Sequence, residues 1–211
     1  RFAGRHGVEH NVLLFEPLGV TGPPPALKVV ANPSGVARVQ EILNSRLGSA
    51  PTIGLHISAR KPPQRWPQER FIELAHQLHK LLGARFLLLW SPGAHDDPRH
   101  PGDDDKADAI AKACIDLPLV ALSTLSLRQL IDGLACIDLM FCSDGGAMHL
   151  AAGLGKPIVA LFGNSDPTIW RPWGVPHRVL QVSDNVYDVT VEAAVAAVMA
   201  VATDVALRRN P

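Results

Sequence analysis

Residues 137–162 read I-D-L-M-F-C-S-D-G-G-A-M-H-L-A-A-G-L-G-K-P-I-V-A-L-F, and this stretch decides the fold. Its two apolar runs, Ile137–Cys142 and Pro157–Phe162, predict strands that are buried on both faces. Between them, Gly145-Gly146 precedes a helix that we predict at Ala147–Leu154. A strand, a helix and a strand in this order are typical of two parallel strands joined by a crossover helix.

The same alternation of strand and helix continues on both sides of this stretch. Further strands are predicted at Thr52–Ile57, Arg85–Trp90, Leu119–Leu122 and, near the end, Arg178–Val182. Further helices are predicted at residues 66–82, 104–113, 127–134 and 190–207. The sequence therefore predicts an α/β fold, a Rossmann-like parallel sheet with helices on both faces, whose ligands bind beyond the carboxyl ends of the strands.

The first fifty residues follow a different pattern. Apolar residues at helical spacing predict a helix over residues 8–18 that ends at Gly19. Asn32-Pro33 is a good N-cap and first helical residue, so a second helix is predicted from there to about Leu47. Gly48-Ser49-Ala50-Pro51 then resembles a hinge between domains.

Composition excludes several classes of protein. The formal net charge is zero, which gives no support to nucleic-acid binding. Three cysteines without C-x-x-C spacing indicate reduced thiols, and no apolar run approaches the ~20 residues that span a bilayer. His95, His100 and the nearby aspartates fit no standard ligand spacing, so no metal is expected. These features favour a cytoplasmic protein.

The loop after the Thr52–Ile57 strand carries cations where a ligand is expected. Ser58, Arg60, Lys61 and Arg65 lie in a stretch stiffened by prolines, and cations at the carboxyl end of a strand suit a diphosphate. A solvated basic loop explains the same residues equally well. The loop after Ile137–Cys142 adds a second anion-binding element, because the backbone amides of Gly145 and Gly146 open a helix.

Acidic and aromatic residues complete the candidate site. Asp144 is a candidate for accepting hydrogen bonds from sugar hydroxyls, with a plain helix cap as the alternative. His149, one turn into the helix, is a candidate donor to a phosphate or sugar, with a core histidine as the alternative. Asp96 and Asp97 follow a buried strand, where a carboxylate can hold ribose hydroxyls. Asp103, Asp104 and Asp105 read instead as favourable charge at a helix start, and Trp170 and Trp173 more as packing than as a sugar wall.

Taken together, these loops resemble glycosyltransferase family 9, the lipopolysaccharide heptosyltransferases. The similar segments are I-G-L-H-I-S-A-R-K-P-P-Q-R-W-P-Q-E-R-F at Ile53–Phe71, S-D-G-G-A-M-H-L-A-A-G-L-G-K-P-I-V-A-L-F-G-N-S-D-P at Ser143–Pro167 and, more weakly, H-G-V-E-H-N-V-L-L-F-E-P-L-G-V at His6–Val20. The chain departs from the family at two positions. Gln64 stands where the family commonly has Lys, and Gly145 where it often has Ser or Thr.

The resemblance implies the C-terminal half of a GT-B glycosyltransferase. Residues 1–50 would be the end of the N-terminal acceptor domain and a linker, residues 51–188 the nucleotide-sugar domain, and residues 189–211 a helix packing back toward the N-terminal half. It implies inverting transfer of heptose from ADP-heptose to the lipopolysaccharide inner core, without a metal or other cofactor.

The same resemblance places the catalytic base, the lipid A-core acceptor site and any contact with the inner face of the inner membrane in an absent N-terminal half. The resemblance and the reading of the loops together give the donor-binding set Ser58, Arg60, Lys61, Arg65, Asp96, Asp97, Asp144, Gly145, Gly146 and His149. A UDP- or GDP-sugar donor, or a catalytically inactive nucleotide-binding fragment, stays open as an alternative. An NAD-dependent dehydrogenase is disfavoured, because no G-x-G-x-x-G follows the Thr52–Ile57 strand.

Overall fold

A computed structural model describes residues 4–47, 50–98 and 101–209. Within these residues six parallel strands form one sheet in the order β3-β2-β1-β4-β5-β6. The strands are β1 (Thr52–His56), β2 (Arg85–Trp90), β3 (Leu119–Ser123), β4 (Leu139–Ser143), β5 (Ile158–Leu161) and β6 (His177–Leu180). The helices are α1 (Gly7–Leu13), α2 (Pro33–Leu47), α3 (Gln68–Leu82), α4 (Asp104–Ala113), α5 (Leu127–Ala135), α6 (Gly146–Gly153), α7 (Pro167–Trp170) and α8 (Val191–Arg209).

The predicted α/β architecture is confirmed, and helices cover both faces of the sheet. Alternate strand residues point to opposite faces, as the pleat requires. Leu55 and Phe141 pack in a core with α3, α4 and α8, whereas Leu87 and Met140 pack in a second core with α2, α5 and α6. Because all the central strands are buried on both sides, they read as unbroken apolar runs in the sequence.

Most predicted boundaries from Pro33 onward agree with the structure to within two residues. The prediction of one helix over residues 8–18 was wrong, because α1 ends at Leu13 and a separate 3₁₀ turn covers Glu16–Leu18. Pro17 explains the break, since proline has no N–H for the carbonyl four residues earlier and its ring clashes there. Gly48 and Ser49 of the predicted hinge lie outside the described residues.

The division of the chain at residue 50 stays a prediction. In the structure, α2 buries Val39 and Leu43 in the same core as α5 and α6, so this helix covers the sheet of the following domain. The first half of α8 buries Val191 and Val198 against the sheet beside α3. Among the described helices, none combines the length and apolar character that crossing a membrane requires.

The order in which the strands are added to the sheet reverses at one place, between β3 and β4. From β1 the chain builds outward through β2 to β3, and it then returns to the other side of β1 to lay down β4, β5 and β6. The loops that follow β1 and β4 therefore leave the sheet side by side, since His56 is aligned with Cys142. A crevice beyond the carboxyl ends of the strands at such a switch point is where open α/β sheets bind ligands.

Candidate functional site

A pocket of about 540 Å³ opens at this switch point. It is lined by the last residues of β1 and β4 and by residues that follow β1, β2, β4 and β5. They are His56, Ser58, Ala59, Arg60, Lys61, Gln64, Ser91, Pro101, Ser143, Asp144, Gly145, Gly146, Ala147, His149, Ser165 and Trp170. Seven of the ten donor-binding residues predicted from the sequence are in this set. The exceptions are Arg65, Asp96 and Asp97.

The loop after β1 presents two cations to the pocket. A 3₁₀ turn over Pro62–Gln64 shapes the loop, and the Arg65 N–H closes it by donating to the carbonyl of Pro62 at 3.0 Å. Arg60 and Lys61 are exposed on the pocket wall, and neither forms an ion pair with a described acidic residue. Their charge is therefore available to an anion in the pocket.

Arg65 is directed away from the pocket. Its guanidinium donates to the carbonyl of Ala59 at 2.8 Å and to that of Gly102 at 3.3 Å, and it pairs with the buried carboxylate of Asp103. Asp103 lies at the start of α4 as predicted, but it is 2% exposed and its carboxylate pairs with Arg65. A direct diphosphate contact from Arg65 stays a prediction, but the structure already gives its charge a partner.

The loop after β4 places backbone amides and open space opposite those cations. Gly145 is the N-cap residue of α6 and Gly146 is its first residue. A Cβ added at either glycine would meet no protein atom within 4 Å. Neither is held by packing, so the absence of a side chain leaves room in the pocket for a ligand to approach the helix N-terminus.

Asp144 belongs to a hydrogen-bond network rather than to the helix cap. The Gln64 side-chain amide donates to Asp144 Oδ2 at 3.1 Å and to Ser165 Oγ at 2.9 Å. The alternative interpretation of Asp144 as the N-cap is wrong, because Gly145 occupies that position without a side-chain cap. These bonds join the loops after β1, β4 and β5 into one wall, which leaves Asp144 facing the pocket.

His149 and Trp170 form another part of the pocket wall. The two rings lie 6.4 Å apart in an edge-to-face arrangement, and the tryptophan is half exposed. Burial lowers the pKa of His149 and the nearby His6 acts in the same direction, while Asp144 opposes them. Trp173 has the expected packing role, since its ring lies 4.6 Å from that of His6 and its Nε1 donates to the carbonyl of Pro25 at 3.2 Å. Trp170 instead lines the pocket.

Asp96 and Asp97 lie on a loop whose two ends approach each other closely at Gly93 and Gly102, which we call the neck. The Gly102 N–H donates to the carbonyl of Ala94 at 2.8 Å, and a Cβ on Gly102 would come within 2.1 Å of the Gly93 carbonyl oxygen. Both aspartates are exposed beyond this crossing. Their predicted contact with a ribose stays a prediction, and the structure brings neither of them to the pocket wall.

Sequence reasoning missed His56, Gln64 and Ser165 as parts of the site. His56 is the last residue of β1 and is buried at the base of the pocket. Burial lowers its pKa to about 4, with the nearby Lys106 acting in the same direction, so the ring is neutral near pH 7. Its position directly before the cationic stretch was the available signal. Gln64 and Ser165 carry no charge and gave none.

No group of three potential metal ligands occurs among residues 4–47, 50–98 and 101–209. His100, one of the residues weighed for such a site, lies outside these ranges.

The family model described as "Glycosyltransferase family 9 (heptosyltransferase)" matches residues 2–193. The chain is 25% identical over 173 residues to lipopolysaccharide heptosyltransferase 3 of Escherichia coli K12, an alignment that covers 81% of this chain and 47% of that protein. The chain thus spans about half the length of the curated relatives it matches.

Solved structures share the fold. A glycosyltransferase family 9 protein from Veillonella parvula matches with a TM-score of 0.82 at 22% identity, covering 97% of this chain and 62% of that one. Heptosyltransferase WaaC of E. coli, solved with ADP, matches with a TM-score of 0.63 at 20% identity, covering 90% of this chain and 54% of that one.

Proposed function

The chain belongs to glycosyltransferase family 9, and from this premise we propose that it supplies the nucleotide-sugar site of a lipopolysaccharide heptosyltransferase. The proposed reaction transfers heptose from ADP-heptose to the lipopolysaccharide inner core with inversion at the anomeric carbon. An acceptor hydroxyl attacks this carbon while ADP leaves. The base that deprotonates the hydroxyl and the acceptor site are expected outside these 211 residues.

The observation that carries the proposal is the convergence of the loops after β1 and β4 on one pocket. Gln64 and Asp144, one from each loop, form a hydrogen bond in which Gln64 Nε2 donates to Asp144 Oδ2 at 3.1 Å. Negative charge grows on the diphosphate as the glycosidic bond breaks, and fixed positive groups lower the barrier by stabilising it. Arg60, Lys61 and the amides at the start of α6 are such groups, so the proposed mechanism needs no metal.

Different groups of the pocket lining suit different parts of the donor. The cations of the β1 loop suit the diphosphate, while Asp144, His149 and Ser165 offer acceptors and donors to sugar hydroxyls. Trp170, next to His149, provides an apolar ring face in the same pocket. The presence of ADP in the E. coli WaaC structure supports an adenine nucleotide over UDP or GDP. The protein is proposed to act in the cytoplasm, with its lipid acceptor at the inner membrane.

Calorimetry on the chain tests the donor assignment. ADP-heptose, UDP-glucose and GDP-mannose are titrated in parallel, and ADP-heptose is expected to bind at least tenfold more tightly than the others. Tightest binding of UDP-glucose or GDP-mannose would reject the ADP-heptose donor. The chain alone is expected to bind the donor without turnover.

A variant at Asp144 tests the site. Asp144→Ala is expected to weaken ADP-heptose binding about tenfold, the loss of one hydrogen bond to a charged group. The domain should stay folded and lose only about 1 kcal/mol in urea unfolding, because the hydrogen bond from Gln64 is lost. Asp108→Ala, an exposed carboxylate on α4, is the matched control and should leave binding unchanged. Equal affinities for both variants would remove Asp144 from the donor site.

A further inference from the structure

Lys106 on α4 contacts both ends of the cationic loop, which we define as residues 58–65. Its ammonium donates to the carbonyl of Ile57 at 3.0 Å, directly before the loop, and to that of Trp66 at 2.8 Å, directly after it. The same Nζ lies 4.8 Å from the centre of the Phe71 ring, and this cation–π contact helps to hold the Lys106 side chain in place. One side chain therefore fixes the separation of the two ends of the loop.

A second set of contacts, from the start of α4, joins the last residue of the loop to its beginning. Asp103, the residue before α4, pairs with Arg65, whose guanidinium also reaches back to the carbonyl of Ala59. Trp66 is itself fully buried and donates to the carbonyl of Val189 at 3.0 Å. The end of the loop is thus rigid, and Lys106 transmits this rigidity to its beginning.

We propose that Lys106 is a positioning residue for donor binding, which holds the cationic loop so that Arg60 and Lys61 face the diphosphate. Lys106 does not line the pocket in which those two cations lie, so it acts through the loop rather than on the ligand. The inference rests on the proposed function, because it assumes that the pocket takes a diphosphate. Lys106 thereby joins the residues that support the site, although no feature of the sequence connected its helix, α4, with donor binding.

The charges around Lys106 make this role sensitive to pH. Asp103 and Glu69 face it with negative charge, Arg65 with positive charge, and the neutral His56 lies nearby. Asp105 and His95 line the same small cavity. Burial lowers the pKa of Lys106 to about 8, so it titrates well below an exposed lysine. A neutral amine keeps two N–H donors, but its bonds to the two carbonyls lose the strength that the charge provides.

Binding of ADP by the chain, measured by calorimetry, tests the proposal. Lys106→Met keeps the length of the side chain but removes its donors, and it is expected to weaken ADP binding about tenfold. Lys112→Met, an exposed lysine on the same helix, is the control and should bind like the wild type. Lys106→Arg retains the charge and is expected to keep the affinity within about threefold.

The pH profile separates positioning by a charged clamp from a purely structural role. Between about pH 7.5 and 9.5 the phosphates of ADP stay fully ionised. Wild-type affinity is expected to fall several-fold through pH 8 as Lys106 loses its proton, while Lys106→Arg stays flat. Comparing the two proteins cancels the titration of every other group.

The outcomes distinguish the two proposals. A wild type that binds no nucleoside diphosphate contradicts the proposed function itself. A wild type that binds ADP while Lys106→Met binds equally well overturns the role of Lys106. If Lys106→Met does not fold, the pH profiles decide, and superimposable profiles for the wild type and Lys106→Arg overturn the proposal as well.

Discussion

Replacing Gln64 by leucine is expected to destabilise the protein by about 2 kcal/mol and to weaken donor binding at the same time. The side-chain nitrogen of Gln64 donates to Asp144 Oδ2 at 3.1 Å and to Ser165 Oγ at 2.9 Å. Gln64 is 6% exposed, whereas both partners are half-buried on the pocket wall. Leucine has a similar size but no donor, so both bonds are lost without a large cavity.

The magnitude follows from the two bonds and from their access to water. A hydrogen bond to a charged group contributes about 1.5–3 kcal/mol, and one between neutral groups about 1 kcal/mol. Because Asp144 and Ser165 face the open pocket, water can form hydrogen bonds with them in place of the Gln64 amide and so compensates for part of the loss. Roughly half of the sum remains, about 2 kcal/mol. Donor affinity should fall about tenfold, since Asp144 is no longer held toward the sugar.

Urea denaturation and calorimetry with ADP-heptose measure the two effects on the same preparation. Gln77→Leu is a matched control, because the Gln77 amide donates to Glu73 at 3.0 Å on the exposed surface of α3. Its loss should change the free energy of unfolding by no more than about 0.5 kcal/mol. If Gln64→Leu unfolds and binds like Gln77→Leu, the bridge between the loops has no energetic role and the reasoning fails.

Three further predictions follow from packing, charge and shape. Gly54→Ala should cost about 1–3 kcal/mol of stability in urea unfolding, because its Cβ would lie 2.7 Å from Ile137 Cδ1; a neutral effect would contradict the tight packing there. Burial lowers the pKa of His56 from 6.5 to about 4 in the folded protein. Because the unfolded chain takes up the proton first, the protein loses stability as the pH falls from 6.5 toward 4. The full loss below pH 4 is about 3 kcal/mol, of which about 2 kcal/mol should appear between unfolding curves at pH 7 and 4.5, and His56→Leu should remove it. Gly146→Val should leave thermal stability nearly unchanged but weaken ADP binding about tenfold by filling the space before α6, and unchanged binding would mean that no ligand approaches there.

The fold could be predicted because its signals are local. Arg85–Trp90 is an unbroken apolar run, which two buried faces require, and helical spacing with proline and glycine at the ends marked the helices between the strands. The error at residues 8–18 arose because apolar spacing was given more weight than Pro17. There the missing backbone donor decided the structure.

The site was only partly predictable, because directions of side chains depend on distant residues. That loops after β1 and β4 meet follows from strand order alone, so Arg60, Lys61 and the glycines could be placed. Arg65 could not, because its direction is set by Asp103, 38 residues later in the chain. Nothing near Asp103 in the sequence indicates that it is buried.

The close approach of Gly93 and Gly102 brings the two ends of the loop between them together. Asp104 accepts hydrogen bonds from Gly93 N–H at 2.9 Å and from Trp90 Nε1 at 2.7 Å, so the start of α4 is fixed below the crossing. We therefore expect β2 and α4 to keep their positions when residues between the two glycines are changed. Because Pro101 lines the pocket and Asp96 and Asp97 lie in the same loop, an affinity tag inserted between these glycines is expected to leave β2 and α4 folded but to hinder a ligand from reaching the pocket.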